Sequence, residues 1–515
     1  SVAIGYLAGC ADQGDNAVAV GNSAGLNAQG NQAVAVGNSA GGVSQGATAT
    51  AVGQGAGYNS QGANATAVGY ASGQASQSAD ATAIGRMAGS NAQGAQGTAM
   101  GAYAGQVSQG ENSVAVGHLA GQTSQGVRSV AVGFNAGFNA QGANATALGY
   151  NTGKVSQGAN TVAVGVGAGE QSQGASAVAI GDLAGSADQA ANSVAVGVSA
   201  GKVSQGGSSV AVGYHAGITS QGAACVAIGK MAGSADQGAD SVAIGSSAGL
   251  NAQSDDSVAI GVAAGCVSQG ANAVAIGNQA GMSDQAAQCI AIGYLAGCGS
   301  QGVDAIAIGA SAGKTTQGNA CVAIGDDAGL NQQGALSVAI GNVAGSADQG
   351  TQSVAIGDTA ANSGQGTQAV AIGRMAGCNL QGNDTVAIGN QAGCGDQGAN
   401  SVAIGVLAGC TSQGDKSVAI GYYTARSQQG ANSVAIGDQA GCADQGAQAV
   451  AIGYVACEIN QGVGAVAIGG FAGYSTQRQY SVAIGYNTQR VPATAADGTA
   501  TAVGYGAGQN QQQVA

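Results

Sequence analysis

Cys378, Cys394 and Cys410 stand sixteen residues apart, and thiols at so even a spacing have a short list of uses. They could hold a soft metal, close disulfides with one another, or link one chain to the next. The chain has eleven cysteines, an odd number. Cys10, Cys266, Cys298 and Cys442 fall on the same sixteen-residue spacing as those three. Cys225, Cys289 and Cys321 share a second register, and Cys457 stands alone. Zinc sites and secreted disulfide frameworks use other spacings. The plainer reading is a small apolar residue in a tight slot that Leu26, Ser90 and Lys202 also occupy. Covalent links between copies are its main rival.

Other chemistry is sparse. The two histidines, His118 and His215, fall six repeats apart and read as surface residues. Aspartate recurs at Asp12, Asp188, Asp236, Asp284, Asp348, Asp396 and Asp444, but calcium-binding nonapeptides are absent, so these read as solvated acids. No nucleophile has a base placed for it, and no glycine-rich loop has the lysine that marks a phosphate site. The expectation is a protein that is not an enzyme and carries no metal or cofactor.

What must position these residues is one repeated unit. Residues 1–16 read SVAIGYLAGCADQGDN, 17–32 read AVAVGNSAGLNAQGNQ, and 401–416 read SVAIGVLAGCTSQGDK. Thirty copies keep a period of sixteen over residues 1–480 without an insertion. A copy at 481–499 carries three extra residues around Pro492, and a last one ends in a glutamine-rich tail, so residues 481–515 are read as an atypical end. Numbering the unit from 1 to 16, position 3 is Ala and position 5 is Gly in every copy, and position 13 is Gln in all thirty regular ones. Sixteen residues are too few for helical repeats. The β-branched V-A-I run followed at once by glycine fits a short strand and a turn, with a second short strand near positions 9–13. The expected fold is an all-β parallel β-solenoid of about thirty-two coils, stacked ~4.8 Å apart into a rod on the order of 150 Å.

Composition agrees. Glycine is 97 of 515 residues, without the every-third-residue period of collagen. Apolar residues reach 45%, too many for a disordered chain. The net charge of −13 argues against nucleic acid and anionic membranes as partners. No apolar stretch approaches a membrane span, so no direct membrane insertion is expected. The chain opens on Ser1 in mid-pattern, which reads as a processed product or a segment.

Strand geometry sends positions 2 and 4 to one face and position 3 to the other. The bulkier Val2 and Ile4 are expected inside. Ala3, Ala19, Ala243 and Ala483 then form an exposed ladder and the oligomer contact. The reverse assignment is the alternative, and either leaves an apolar face needing cover. Gln13, Gln29, Gln45, Gln253 and Gln461 are expected to form a structural ladder, bonded amide to amide from coil to coil.

The unit resembles the head repeats of trimeric autotransporter adhesins, the YadA-like (Hep_Hag) family, and related phage and giant-virus fibre repeats. The S-V-A-I-G half carries the resemblance, as in Ser241-Val242-Ala243-Ile244-Gly245, while the A-G-x-x-x-Q-G half runs longer than in the family by two residues. The resemblance implies a left-handed β-roll, assembled as a homotrimer, with attachment as its role. The expected function is a structural fibre at a cell surface, virion surface or other extracellular site, acting as spacer and adhesive surface toward a host receptor or glycan. The alternative is a self-polymerising filament joined end to end through uncapped coils.

Overall fold

The computed structural model describes residues 1–489 and 500–508. The chain divides into two compact units, Ser1–Ser257 and Val258–Ala515. Both are parallel β-solenoids, and no helix occurs among the described residues. The insertion around Pro492 and the glutamine-rich tail lie outside those residues.

Each coil of the first unit follows one plan. Its first strand covers positions 2–4, as in Val2–Ile4 and Val242–Ile244. It pairs in parallel with the strand one repeat on, Val2 with Val18, Ala3 with Ala19 and Ile4 with Val20. The second strand covers positions 11–13, as in Ala75–Gln77, and its pairing runs Ala75 to Asn91 and Gln77 to Gln93. Between these pairs position 12 stands apart, because its backbone is left-handed (Ser76, φ 56°; Ala92, φ 58°). That kink bends the strand as a bulge does and turns the side chain of position 13 toward the interior.

The second unit repeats the plan from Val258 paired with Val274 onward. Its second strands are shorter in places, only Ser412–Gln413 in one coil, and Gln381 is held by single bridges to Gln365 and Gln397. Near the end Val482 pairs with Thr501, an offset of nineteen residues that keeps the register across the extra three.

The interior corrects one expectation. Ala19, Ala243 and Ala483 are wholly buried, so they are lining residues and not contact residues. Ala3 pairs on one side only, with Ala19, and is exposed. The valines and isoleucines point outward instead: Ile180 is 39% exposed and Leu148, in the same position, 45%. The reason is space. The glutamine of position 13 lies across the lumen at 1–4% exposure from Gln29 to Gln477, and methyl groups fill what remains. A strand with period two cannot split the difference, so admitting Ala expels both neighbours.

Two glycine columns are steric necessities. Gly21 has φ 133°, and a Cβ on it would lie 2.5 Å from the carbonyl oxygen of Gly37 on the next coil. A Cβ on Gly25 would lie 2.7 Å from Oε1 of Gln29, inside the lumen.

Candidate functional site: an apolar face and its flanking columns

The constant register sets equivalent side chains of successive coils in columns, inside and outside. Inside, Gln29 Nε2 donates to the carbonyls of Val18 (2.8 Å) and Ala33 (3.3 Å). Gln45 Nε2 reaches Val34 O at 2.9 Å and Gln61 Oε1 at 3.1 Å, and Gln461 reaches Val450 O at 2.8 Å and Gln477 Oε1 at 3.1 Å. Gln13 Nε2 donates to Val2 O at 3.1 Å and Gln29 Oε1 at 3.2 Å, and Gln253 Nε2 to Val242 O at 3.0 Å. The partner that recurs is therefore the position-2 carbonyl of the glutamine's own coil, eleven residues back. Amide-to-amide bonds come in runs, such as Gln45 to Gln61 to Gln77 to Gln93. Between runs an oxygen such as that of Gln109 or Gln125 accepts no hydrogen bond. The sequence points to stacking of these amides along the column; the strut across the coil has no signal in it.

Position 1 shows a second interior pattern that sequence reasoning missed. Ser209 Oγ donates to Gly222 O at 2.6 Å, and Cys225 Sγ donates to Gly238 O at 2.8 Å in the equivalent place. Cys289 and Cys321 make the same bond to Gly302 and Gly334. These thiols stand in for a hydroxyl. Burial pushes the Cys225 and Cys289 thiols above the usual range. The signal was available, because this position holds Ser, Thr, Cys or Ala in every coil but the one that begins at Gly97.

Outside, position 10 brings side chains of consecutive coils into contact. Lys154 Nζ lies 3.4 Å from Glu170 Oε1, and Gln122 Nε2 donates to Gln106 Oε1 at 2.9 Å. Cys378 and Cys394 are joined as a disulfide with Cα atoms 4.8 Å apart, and Cys410, half-buried, is a free thiol. Cys10 is exposed, and Cys266, Cys298 and Cys442 are half-buried free thiols.

His118 sits in an aromatic stack at the coil corner. Its ring lies 5.3 Å from Phe134, which lies 5.3 Å from Tyr150, with Tyr103 edge-on at 6.1 Å and Arg86 over Tyr103 at 4.5 Å. His215 stacks on Tyr214 at 3.9 Å. The aspartates of position 12, from Asp12 to Asp444, are exposed. Among the described residues no group of three or more His, Cys, Asp or Glu could hold a metal ion. Also among them, no helix is long and apolar enough to cross a membrane.

The broadest feature is the outward face of the first strands, formed by positions 2 and 4. These are Val or Ile in most coils, with Thr at position 2 in others such as Thr50, Thr66 and Thr82, and the glycine of position 5 lies at the edge. This is the V-A-I-G stretch, and the YadA head domain repeat matches the chain over residues 108–136, 124–152 and 397–424. The chain carries YadA-like head repeats. Each matched stretch spans two consecutive first-strand runs, such as Ser113–Gly117 and Ser129–Gly133, each preceded by a Q-G turn, so the match falls on the first strands and on the bends leading into them. Outside the matched residues the first strands keep the same sixteen-residue register, as from Val258 to Val274 and from Val322 to Val338. Among curated proteins none matches the chain.

Proposed function

We propose that the chain is a structural fibre element that associates with further copies of itself, as a homotrimer, and presents its variable columns as an attachment surface outside a cell or on a virion. The observation that carries this reading is the outward Val/Ile face. Ile84, Ile180, Ile228 and Ile244 on one unit, and Ile324, Ile388 and Ile468 on the other, are each 36–39% exposed. An apolar strip repeated on coil after coil exceeds what a lone soluble protein leaves bare. Covering it with identical strips around a common axis satisfies every coil at once. The YadA head repeat supports the trimer and the adhesive role, because heads of that kind work as trimeric adhesins.

Attachment then belongs to positions 6, 7, 10, 11, 12, 15 and 16, whose side chains vary from coil to coil while the skeleton does not. The stacked rings at Tyr103, His118, Phe134 and Tyr150 and the aromatic group at Tyr454, Phe471 and Tyr486 are the largest apolar features among them.

Sedimentation equilibrium tests the assembly. The expected mass is three times the 48.0 kDa chain. A monomer that persists at micromolar concentration overturns the reading. Electron micrographs separate the trimer from end-to-end joining, which would give open-ended filaments in place of discrete particles.

A further inference from the structure

Position 10 is an outer column in which side chains of successive coils meet, as an ion pair at Lys154 and Glu170, an amide pair at Gln106 and Gln122, and a disulfide at Cys378 and Cys394. Cys410 continues that column. Asn379 N donates to Cys394 O at 3.1 Å, and Gly395 N donates to Cys410 O at 2.6 Å. The step from Cys394 to Cys410 is therefore the same coil-to-coil step as the one the disulfide spans. Cys378 and Cys410 are two steps apart, about 10 Å, which is beyond disulfide reach.

We propose that Cys378, Cys394 and Cys410 form a thiol–disulfide exchange site in which the disulfide moves between two registers, with Cys394 as the common partner. The Cys410 thiol gives its proton to solvent, and its thiolate attacks Cys394 Sγ. The Cys394–Cys410 bond forms as the Cys378–Cys394 bond breaks, and the Cys378 sulfur leaves as a thiolate and takes up a proton. Two sulfurs remain oxidised throughout, so no oxidant or reductant is consumed.

The next residue in the column bounds the migration. Thr411 N donates to Arg426 O at 2.9 Å and Ser427 N to Cys442 O at 2.9 Å, so Arg426 stands between Cys410 and Cys442. Arg426 lies 5.1 Å over the Tyr423 ring. Burial holds the Cys410 thiol above the usual range, and the Arg426 guanidinium pulls the other way. The two registers differ in what they show to solvent. With the disulfide at Cys378–Cys394, the spare thiol is the half-buried Cys410. In the other register it is Cys378, at a site only 7% exposed. The exchange thus shows or hides one free thiol on this face.

Peptide mapping of the full chain tests this. Cleavage before Asp384, Asp396 and Asp415 puts the three cysteines on separate peptides. After equilibration in a glutathione redox buffer at about pH 8 and acid quenching, Cys378–Cys394 and Cys394–Cys410 links should both appear, within about tenfold of each other. Only the first link, or any Cys378–Cys410 link, overturns the proposal. Cys378→Ser provides a second arm, since serine already fills this position at Ser90 and Ser186. In the same buffer it should show the Cys394–Cys410 link, and free thiols at both residues overturn the proposal.

Discussion

Gln205 reaches across the lumen of its own coil to donate from Nε2 to the carbonyl of Val194 at 2.9 Å, eleven residues earlier. The same amide donates to Ser209 O on the next coil at 3.3 Å and accepts from Gln189 at 3.1 Å. One side chain thus braces its coil internally and ties it to the coils on both sides. Hydrophobic cores usually rely on branched side chains for this; here the branched side chains are outside.

Gln205→Ala should open the local structure by about 2–4 kcal/mol, from lost hydrogen bonds and the cavity left behind. In a repeat array such a loss is local, so amide hydrogen exchange around Val194 and Ser209 is the measurement. Gln205→Glu places a carboxyl opposite two carbonyl oxygens at 1% exposure, which raises its folded-state pKa above the ordinary value of about 4.3. Stability is then kept below about pH 4 and lost as pH rises through the raised pKa. An equal deficit at about pH 3.5 and 7 would contradict this account.

Ala243 and Ile244 are neighbours that should respond in opposite senses to size. Ala243→Leu overfills a site with no exposed surface and should cost about 2 kcal/mol or more. Ile244→Ala, at a residue 36% exposed, should cost the isolated chain about 1 kcal/mol. It should weaken self-association measurably if the proposed assembly covers this face, because it removes part of it. Thermal melts combined with sedimentation of both variants read the two effects separately.

Glycines of different columns should differ sharply. Gly229 has φ 131°, and a Cβ there would lie 2.5 Å from Gly245 O, so Gly229→Ala should destabilise by about 2–3 kcal/mol. Gly207 lies at position 15, where a Cβ would meet only Ala191 O at 3.6 Å. Gly207→Ala should be neutral or stabilise by up to about 1 kcal/mol. Limited proteolysis of the two variants compares them directly.

Cys457 occupies a slot that is glycine in most coils, with φ 41° and no exposed surface. Burial pushes its thiol up to about 12. An unfolded thiol titrates near ~8.5, so this group's contribution to stability is intact below that pH and lost progressively from there to about 12. Cys457→Ala should flatten the alkaline loss. In the native chain an alkylating reagent should label the exposed Cys10 and spare Cys457, as peptide mapping would show.

Much of the architecture was legible in the residues. The sixteen-residue period, the strand at V-A-I and the turn at the glycine after it are written in side-chain type, because only glycine tolerates the φ and the crowding at Gly21. The orientation of that strand was not legible. Bulk alone favours Val inside and Ala outside; what decides the matter is the arm of Gln29 or Gln205 crossing the lumen, which depends on where position 13 lies relative to position 2 after two turns. The left-handed backbone at position 12 was equally hidden, since Asp12, Ala28 and Ser44 adopt it and share no chemistry. The site fared similarly. Cysteine columns could be counted, but that Cys225 replaces a serine hydroxyl, and that Cys378 bonds Cys394 while Cys410 remains free, follow from contacts between coils.

The constant step of the strand register also bears on heredity. Thr82, Ala83 and Ile84 pair with Thr66, Ala67 and Val68 on one side and with Thr98, Ala99 and Met100 on the other. Excising residues 81–96 would bring those flanking strands together with every hydrogen-bond partner in place. A one-residue slip within a strand would set lining alanines against outward valines, whereas three extra residues between Val482 and Thr501 leave Ala483 paired with Ala502. A gene with so many near-identical segments invites unequal recombination, and this fold accepts the products of whole-segment exchange. Chain length is then a quantity that selection can adjust one segment at a time.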